Sequence, residues 1–147
     1  MLQNSGKNIG IKKSYMKNLI VIFTILTLIG CEPGYRIYVR NNASTILYLR
    51  TNPSIESLYP KWTGYNDSIL AHKVSQEGKF SLYSIKPFDA FRIWDNIGGM
   101  PTSKEIPFDY VAVIRGVDTL ILDNKEKIAN QLKRGGKKFD YYIEITK

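Results

Sequence analysis

The eight residues Phe139–Thr146 alternate without a break. Phe139, Tyr141, Ile143 and Ile145 fall on one face, and Asp140, Tyr142, Glu144 and Thr146 on the other. A side-chain period of two is the geometry of a β-strand. A one-residue slip would turn four large apolar groups out to water, so the segment admits one register. A strand so placed has to pair with an earlier one. The β-branched run Tyr110–Ile114 reads as a central strand and is the expected partner.

The same period recurs in short blocks through the chain. Tyr35–Arg40 sets Tyr35, Ile37 and Val39 against Arg36, Tyr38 and Arg40. The turn residues Asn41–Ser44 follow it, and Thr45–Arg50 is predicted to close a hairpin with it. Ser68–Val74 is read as a third strand. Lys79–Ile85 follows the Gly78 turn, with Phe80, Leu82 and Ser84 on its inner face. Ala90–Trp94 places Phe91 and Ile93 opposite Arg92 and Trp94, and a loop is expected over 95–107. The turn Arg115–Asp118 joins Tyr110–Ile114 to Thr119–Leu122 as a hairpin. Asn124 is placed to cap a short helix over Lys125–Leu132, buried through Ile128 and Leu132 and ended by Gly135-Gly136. About seven or eight short strands with frequent turn signals predict an all-β fold, an antiparallel two-layer β-sandwich with one short helix near the C-terminus. An open barrel is the alternative.

Ahead of these strands lies a stretch of another kind. Leu19–Ile29 is eleven residues without a charge, preceded by Lys7, Lys12, Lys13 and Lys17 and followed by Gly30 and Cys31. A basic segment, an apolar segment of about 7–15 residues and a small residue before the cut describe a secretory signal peptide. A bilayer-spanning helix needs about 20 apolar residues, so this run is too short to remain as one. Leu28-Ile29-Gly30-Cys31 resembles the lipobox of bacterial lipoproteins, with Leu at −3, Gly at −1 and Cys at +1. The resemblance implies a diacylglyceryl thioether on Cys31, cleavage before it and acylation such as palmitate at the new amino terminus. The implied organisation is a signal peptide over 1–30 (with Met16 as an alternative start), a lipidated cysteine and spacer over 31–34, and a domain over 35–147. The expected location is the bacterial cell envelope, as a membrane-anchored lipoprotein of the outer membrane. The strand pattern behind the lipobox is similar in style to small Bacteroidota lipoproteins of unknown function.

This organisation changes the meaning of the charge. The whole chain carries +8, but the leader holds four lysines and no acid. From Cys31 onward 17 cations face 13 acids, a net +4, and the export signal accounts for the other half of the basic excess. The basic balance is therefore no argument for nucleic acid, which is not an expected partner. Cys31 is the only cysteine, so the 117 residues from it onward fold without an internal disulfide or a cysteine metal site.

Signals for chemistry are sparse. His72 is the only histidine, and no second His or Cys offers a zinc ligand set. No G-x-S-x-G elbow accompanies it. The preferred reading is a surface or edge-strand histidine, with no catalytic residue, cofactor or metal expected. The loop Tyr59–Tyr65 carries Tyr59, Trp62 and Tyr65, which are the candidate binding residues. Exposed loop aromatics stack on sugar rings or peptide side chains, whereas the favoured competing role is plugging the end of the sandwich. Lys133–Lys138 holds four cations in six residues. They suit either anionic lipid or lipopolysaccharide phosphate or, preferably, a solvated turn near a helix C-terminus. The sequence thus predicts a non-catalytic β-sandwich interaction domain on a lipid tether, with a protein or glycan partner. An envelope hydrolase using His72 and an inhibitor or immunity-type lipoprotein are the alternatives.

Overall fold

The structure, a computed structural model, describes residues 34–59 and 65–145, with the side chains of Tyr65 and Asn66 left aside. The chain divides into a unit of residues 1–32 and a unit of residues 33–147. The signal peptide, the lipobox and Cys31 lie outside the described residues.

Nine strands form two sheets. In the first, β5 (Ala90–Ile97), β1 (Gly34–Arg40), β9 (Asp140–Ile143) and the two-residue β8 (Lys133–Arg134) lie in that order. The second runs β3 (Lys73–Glu77), β4 (Phe80–Ile85), β2 (Leu47–Asn52), β6 (Tyr110–Arg115), β7 (Asp118–Leu122). Alternation supplies the core. Tyr35, Ile37 and Val39 of β1 and Ile143 of β9 face Leu47, Leu49, Tyr83, Ile85, Val111 and Val113 from the other sheet, all essentially inaccessible to solvent. Ile55 comes from a 3-10 helix (Ile55–Leu58), Ile69 from helix α1 (Tyr65–Leu70) and Ile128 from helix α2 (Lys125–Gln131). Ile106 and Phe108, from the loop before β6, are also buried in this core. The all-β sandwich and the short C-terminal helix are as predicted. Asn124 caps α2 through its side chain, which accepts from the Lys127 N–H at 2.9 Å.

Several local expectations are corrected. The sandwich is not wholly antiparallel, because β9 pairs with β1 in parallel, Arg36 opposite Asp140 and Val39 opposite Ile143. It therefore does not pair with Tyr110–Ile114, which lies in the other sheet between β2 and β7. β1 and β2 form no hairpin, since β5 and β9 occupy both edges of β1 and β4 and β6 both edges of β2. The corner between them is organised by Asn41, which is fully buried. Its side-chain amide donates to the carbonyls of Thr45 (2.8 Å), Ile85 (3.1 Å) and Lys86 (3.0 Å), and its Oδ1 accepts from the Ala43 N–H at 3.1 Å.

Ser68–Val74 divides between the end of α1 and the start of β3. In β4 the inner face is Ser81, Tyr83 and Ile85, not Phe80 and Leu82. The tight turn at Gly78 (φ +58°) pairs Glu77 with Phe80 and fixes that register. Phe80 then lies on the outer face, beneath the Arg50 guanidinium at 4.5 Å. Helix α2 ends at its C-cap Leu132, before the glycines. Gly135 has another role: a Cβ there would sit 2.1 Å from the Tyr142 ring.

The outer face of the first sheet is an aromatic and ionic layer. Tyr38 and Tyr142 stack at 5.3 Å, and the Arg40 guanidinium lies 3.6 Å over the Tyr142 ring and 3.0 Å from Glu144. Asp140, read from alternation as solvent-facing, is 3% exposed, with Arg36 Nε 2.8 Å from its carboxylate. Ile143→Ala is expected to cost about 2–5 kcal/mol in denaturant unfolding. Glu144→Ala, which breaks a partly exposed ion pair, should cost no more than about 1 kcal/mol. Truncation after Gly136 removes β9 and should abolish cooperative unfolding; equal effects from the two substitutions would contradict the assigned inner face.

Candidate functional site

A cleft of ≈ 740 Å³ lies at the start of β1 and the end of β5. Its position follows from strand pairing, which sets Gly34 opposite Ile97 and Tyr35 opposite Asn96. A shift of register between Ile37 and Tyr38 bulges β5, so that Trp94 falls opposite Ile37 and packs against the core. The 3-10 helix then delivers Leu58 and Tyr59 to the same wall. Tyr59 and Trp94 meet at 5.8 Å with their rings tilted by 55°, and Tyr141 closes edge-on against Tyr35 at 6.4 Å. Arg36 and Asp95 line the cleft as its charged groups.

Polar chemistry sits behind this aromatic wall. The Tyr35 hydroxyl and the Trp94 indole N–H are both buried and lie together, with the Asn96 side chain beside the hydroxyl. Burial pushes the Tyr35 hydroxyl above its ordinary range, against a weaker opposite pull from the neighbouring Asn96 and Trp94 side chains. The cleft therefore sets a stacking surface in front of a buried polar cluster.

Of the candidate binding residues, Tyr59 reaches the cleft, half-buried and packed against the core. Trp62 lies outside the described residues, and of Tyr65 only the backbone, at the start of α1, is described. Sequence reasoning does not find Tyr35, Trp94 or Asn96 as site residues. Tyr35 reads as core from its alternation, and Trp94 falls on the polar side of its strand until the bulge is known. The one sequence signal is a tryptophan opposite the apolar phase of a strand.

His72 is not set up as a general base. Its Nδ1 lies 2.8 Å from the Ser68 carbonyl, closing the end of α1, and its ring stacks on Phe91 at 4.5 Å. Ser84 approaches the His72 backbone carbonyl and not the imidazole. No group of three His, Cys, Asp or Glu side chains converges among the described residues.

One further polar cluster is built into the core edge. Tyr83 is fully buried; its hydroxyl accepts from the Ile55 N–H at 2.8 Å and donates to Glu56, which also receives Lys73. Burial pushes the Tyr83 hydroxyl well above its ordinary range, and its bond to the Glu56 carboxylate adds to the rise. For Glu56, burial alone would raise the carboxyl, but the bonds from Lys73 and Tyr83 outweigh it and hold the group below its ordinary range. The cluster pins the 3-10 helix, and with it Tyr59, to β3 and β4.

No protein-family model matches the chain, and neither a curated protein nor a solved structure is significantly similar to it.

A folded-state carboxyl held below its unfolded value stabilises the protein above the unfolded value and loses that contribution as pH falls through the folded one. Wild type should therefore melt higher than Glu56→Gln at neutral pH, and the gap should close as pH falls below the ordinary glutamate value of 4.5. A gap that widens on acidification would refute the assignment. His72→Ala should lower the melting temperature through the lost contacts with Ser68 and Phe91.

Proposed function

We propose that the chain is a cell-envelope lipoprotein, tethered through Cys31, whose β-sandwich is a binding module with its ligand site in the Tyr35–Tyr59–Trp94 cleft. The observation that carries the binding reading is the pairing of an aromatic wall, Tyr59 against Trp94, with the polar groups of Arg36, Asp95 and Asn96 on the same cleft. The ligand class that meets both is an oligosaccharide. The apolar face of a pyranose ring stacks on an aromatic side chain, and its hydroxyls are donors and acceptors for Asn96, Asp95 and Arg36. The chemistry is recognition without bond cleavage, since the cleft holds neither His72 nor a pair of carboxylates.

The tether reading rests on the lipobox resemblance and on an apolar run shorter than the bilayer requires. No helix among the described residues is long and apolar enough to cross a membrane. Two or more acyl chains supply the stable anchoring that one chain lacks. Outer-membrane placement belongs to the same proposal.

Two measurements test the halves separately. Metabolic labelling with a palmitate analogue should mark wild type and not Cys31→Ala; label kept by the variant removes the tether. Titration with soluble envelope oligosaccharides should shift tryptophan fluorescence, and Trp94→Ala should weaken binding by about tenfold, the loss of one stacking face. Affinity unchanged in both Trp94→Ala and Tyr59→Ala would remove the cleft.

A further inference from the structure

The basic hexapeptide Lys133–Lys138 lies at a particular place in the fold. It forms β8 and the turn into β9, and β9 runs parallel to β1. The residues before β9 therefore lie at the same end of the sheet as the residues before β1. A direct bond fixes this, since the Arg36 N–H donates to the Phe139 carbonyl at 2.9 Å. Two further bonds hold the turn closed. The Gly135 N–H donates to the Asp140 carbonyl at 2.7 Å, and Arg134 Nε donates to the Lys138 carbonyl at 3.1 Å.

Charge concentrates at this end. Lys133, Arg134, Lys137 and Lys138 are all exposed, and none has an ion-pair partner among the described residues. From Cys31 onward the chain carries 17 cations and 13 acids, and without this hexapeptide 13 face 13. The whole net charge of that part is therefore the charge of one hairpin.

Resting on the tether reading above, we infer that the β8–β9 edge of this end, on the far side of β1 from the cleft at β5, is a membrane-contact surface, in which the Lys133–Lys138 hairpin binds the anionic phospholipid headgroups of the leaflet that holds the lipid on Cys31. Three residue steps lead from Cys31 to Gly34, a reach of at most about 11 Å, so the tether holds this end within contact range of the headgroups. Each basic residue near an anionic surface strengthens attachment by about fivefold, and the effect is confined to roughly a Debye length. The opposite end, with Lys86 after β4, stands about 20 Å away, the length of β1.

The test is a lysine footprint of the lipidated protein in vesicles. Vesicles of phosphatidylcholine and of an equal mixture of phosphatidylcholine and phosphatidylglycerol are floated, treated with a membrane-impermeant acetylating reagent and read residue by residue by mass spectrometry. Acetylation of Lys137 and Lys138, relative to Lys86, should fall several-fold on the anionic vesicles, and high salt should restore it. Protein that floats with Lys137 and Lys138 as reactive as Lys86 on both membranes overturns the inference and leaves the tether standing. Equal protection on both membranes overturns the recognition of anionic headgroups. Protein that does not float removes the tether and the inference with it.

Discussion

One buried amide holds the two sheets in their relative order. Asn41 ends β1, and its side chain ties the departing chain at Thr45 to the corner at Ile85 and Lys86, where β4 leaves the second sheet for β5 in the first. Its own N–H donates to the Asp89 carbonyl at 2.9 Å, immediately before β5. Two of the four crossings between the sheets are thus joined through a single residue. Buried backbone carbonyls at such corners have no ladder partner, and an amide with two donors satisfies them where a hydroxyl or an apolar side chain would not. Phe88, at the tip of the second corner, holds a positive φ of 59° and projects into solvent. A bulky side chain in that region is unfavourable by itself, so the surrounding bonds at Asn41 and Asp89 impose the conformation.

The cleft depends on this order at one remove. It requires β5 to lie beside β1 for its whole length, because its polar groups come from Tyr35 on one strand and from Trp94 and Asn96 on the other. It also requires the link after β2 to turn back toward β5, which the Glu56–Lys73–Tyr83 cluster secures. Rigid scaffolding of this kind limits the entropy lost when a ligand is bound. Tyr35, Trp94 and Asn96 form a polar cluster at the edge of a core otherwise built from aliphatic and aromatic packing, and such a cluster specifies one arrangement of the strands that carry it.

Elements whose reason is local are legible in the sequence. β1 and β9 announce themselves by alternation, the start of β4 by the Gly78 turn, the β6–β7 hairpin by its glycine turn, and α2 by Asn124. What fails to show is decided at a distance. The Asn41 side chain finds its partners 44 and 45 residues away, so a local turn signal reads as a hairpin. In β4 the sequence FSLYSI offers apolar residues on both faces, and only the Gly78 turn and the neighbouring strands decide between them. Alternation also misassigns Asp140, because an outward position can still be covered, here beneath Arg36. The cleft draws on positions 35, 59 and 94, whose proximity no window of sequence contains.

The parallel pairing of β1 with β9 joins the first described strand to the last, with Arg36 opposite Asp140. During synthesis or translocation β1 emerges long before its partner. Until β9 arrives, one edge of β1 presents unpaired backbone groups, a template for association with other chains. Contacts between residues so far apart in sequence close late and slow the folding of the whole. The topology therefore delays completion of the first sheet until the C-terminal strand has emerged. A chain built this way completes its first sheet only once residue 143 is available, so no shorter leading fragment holds the four-stranded order.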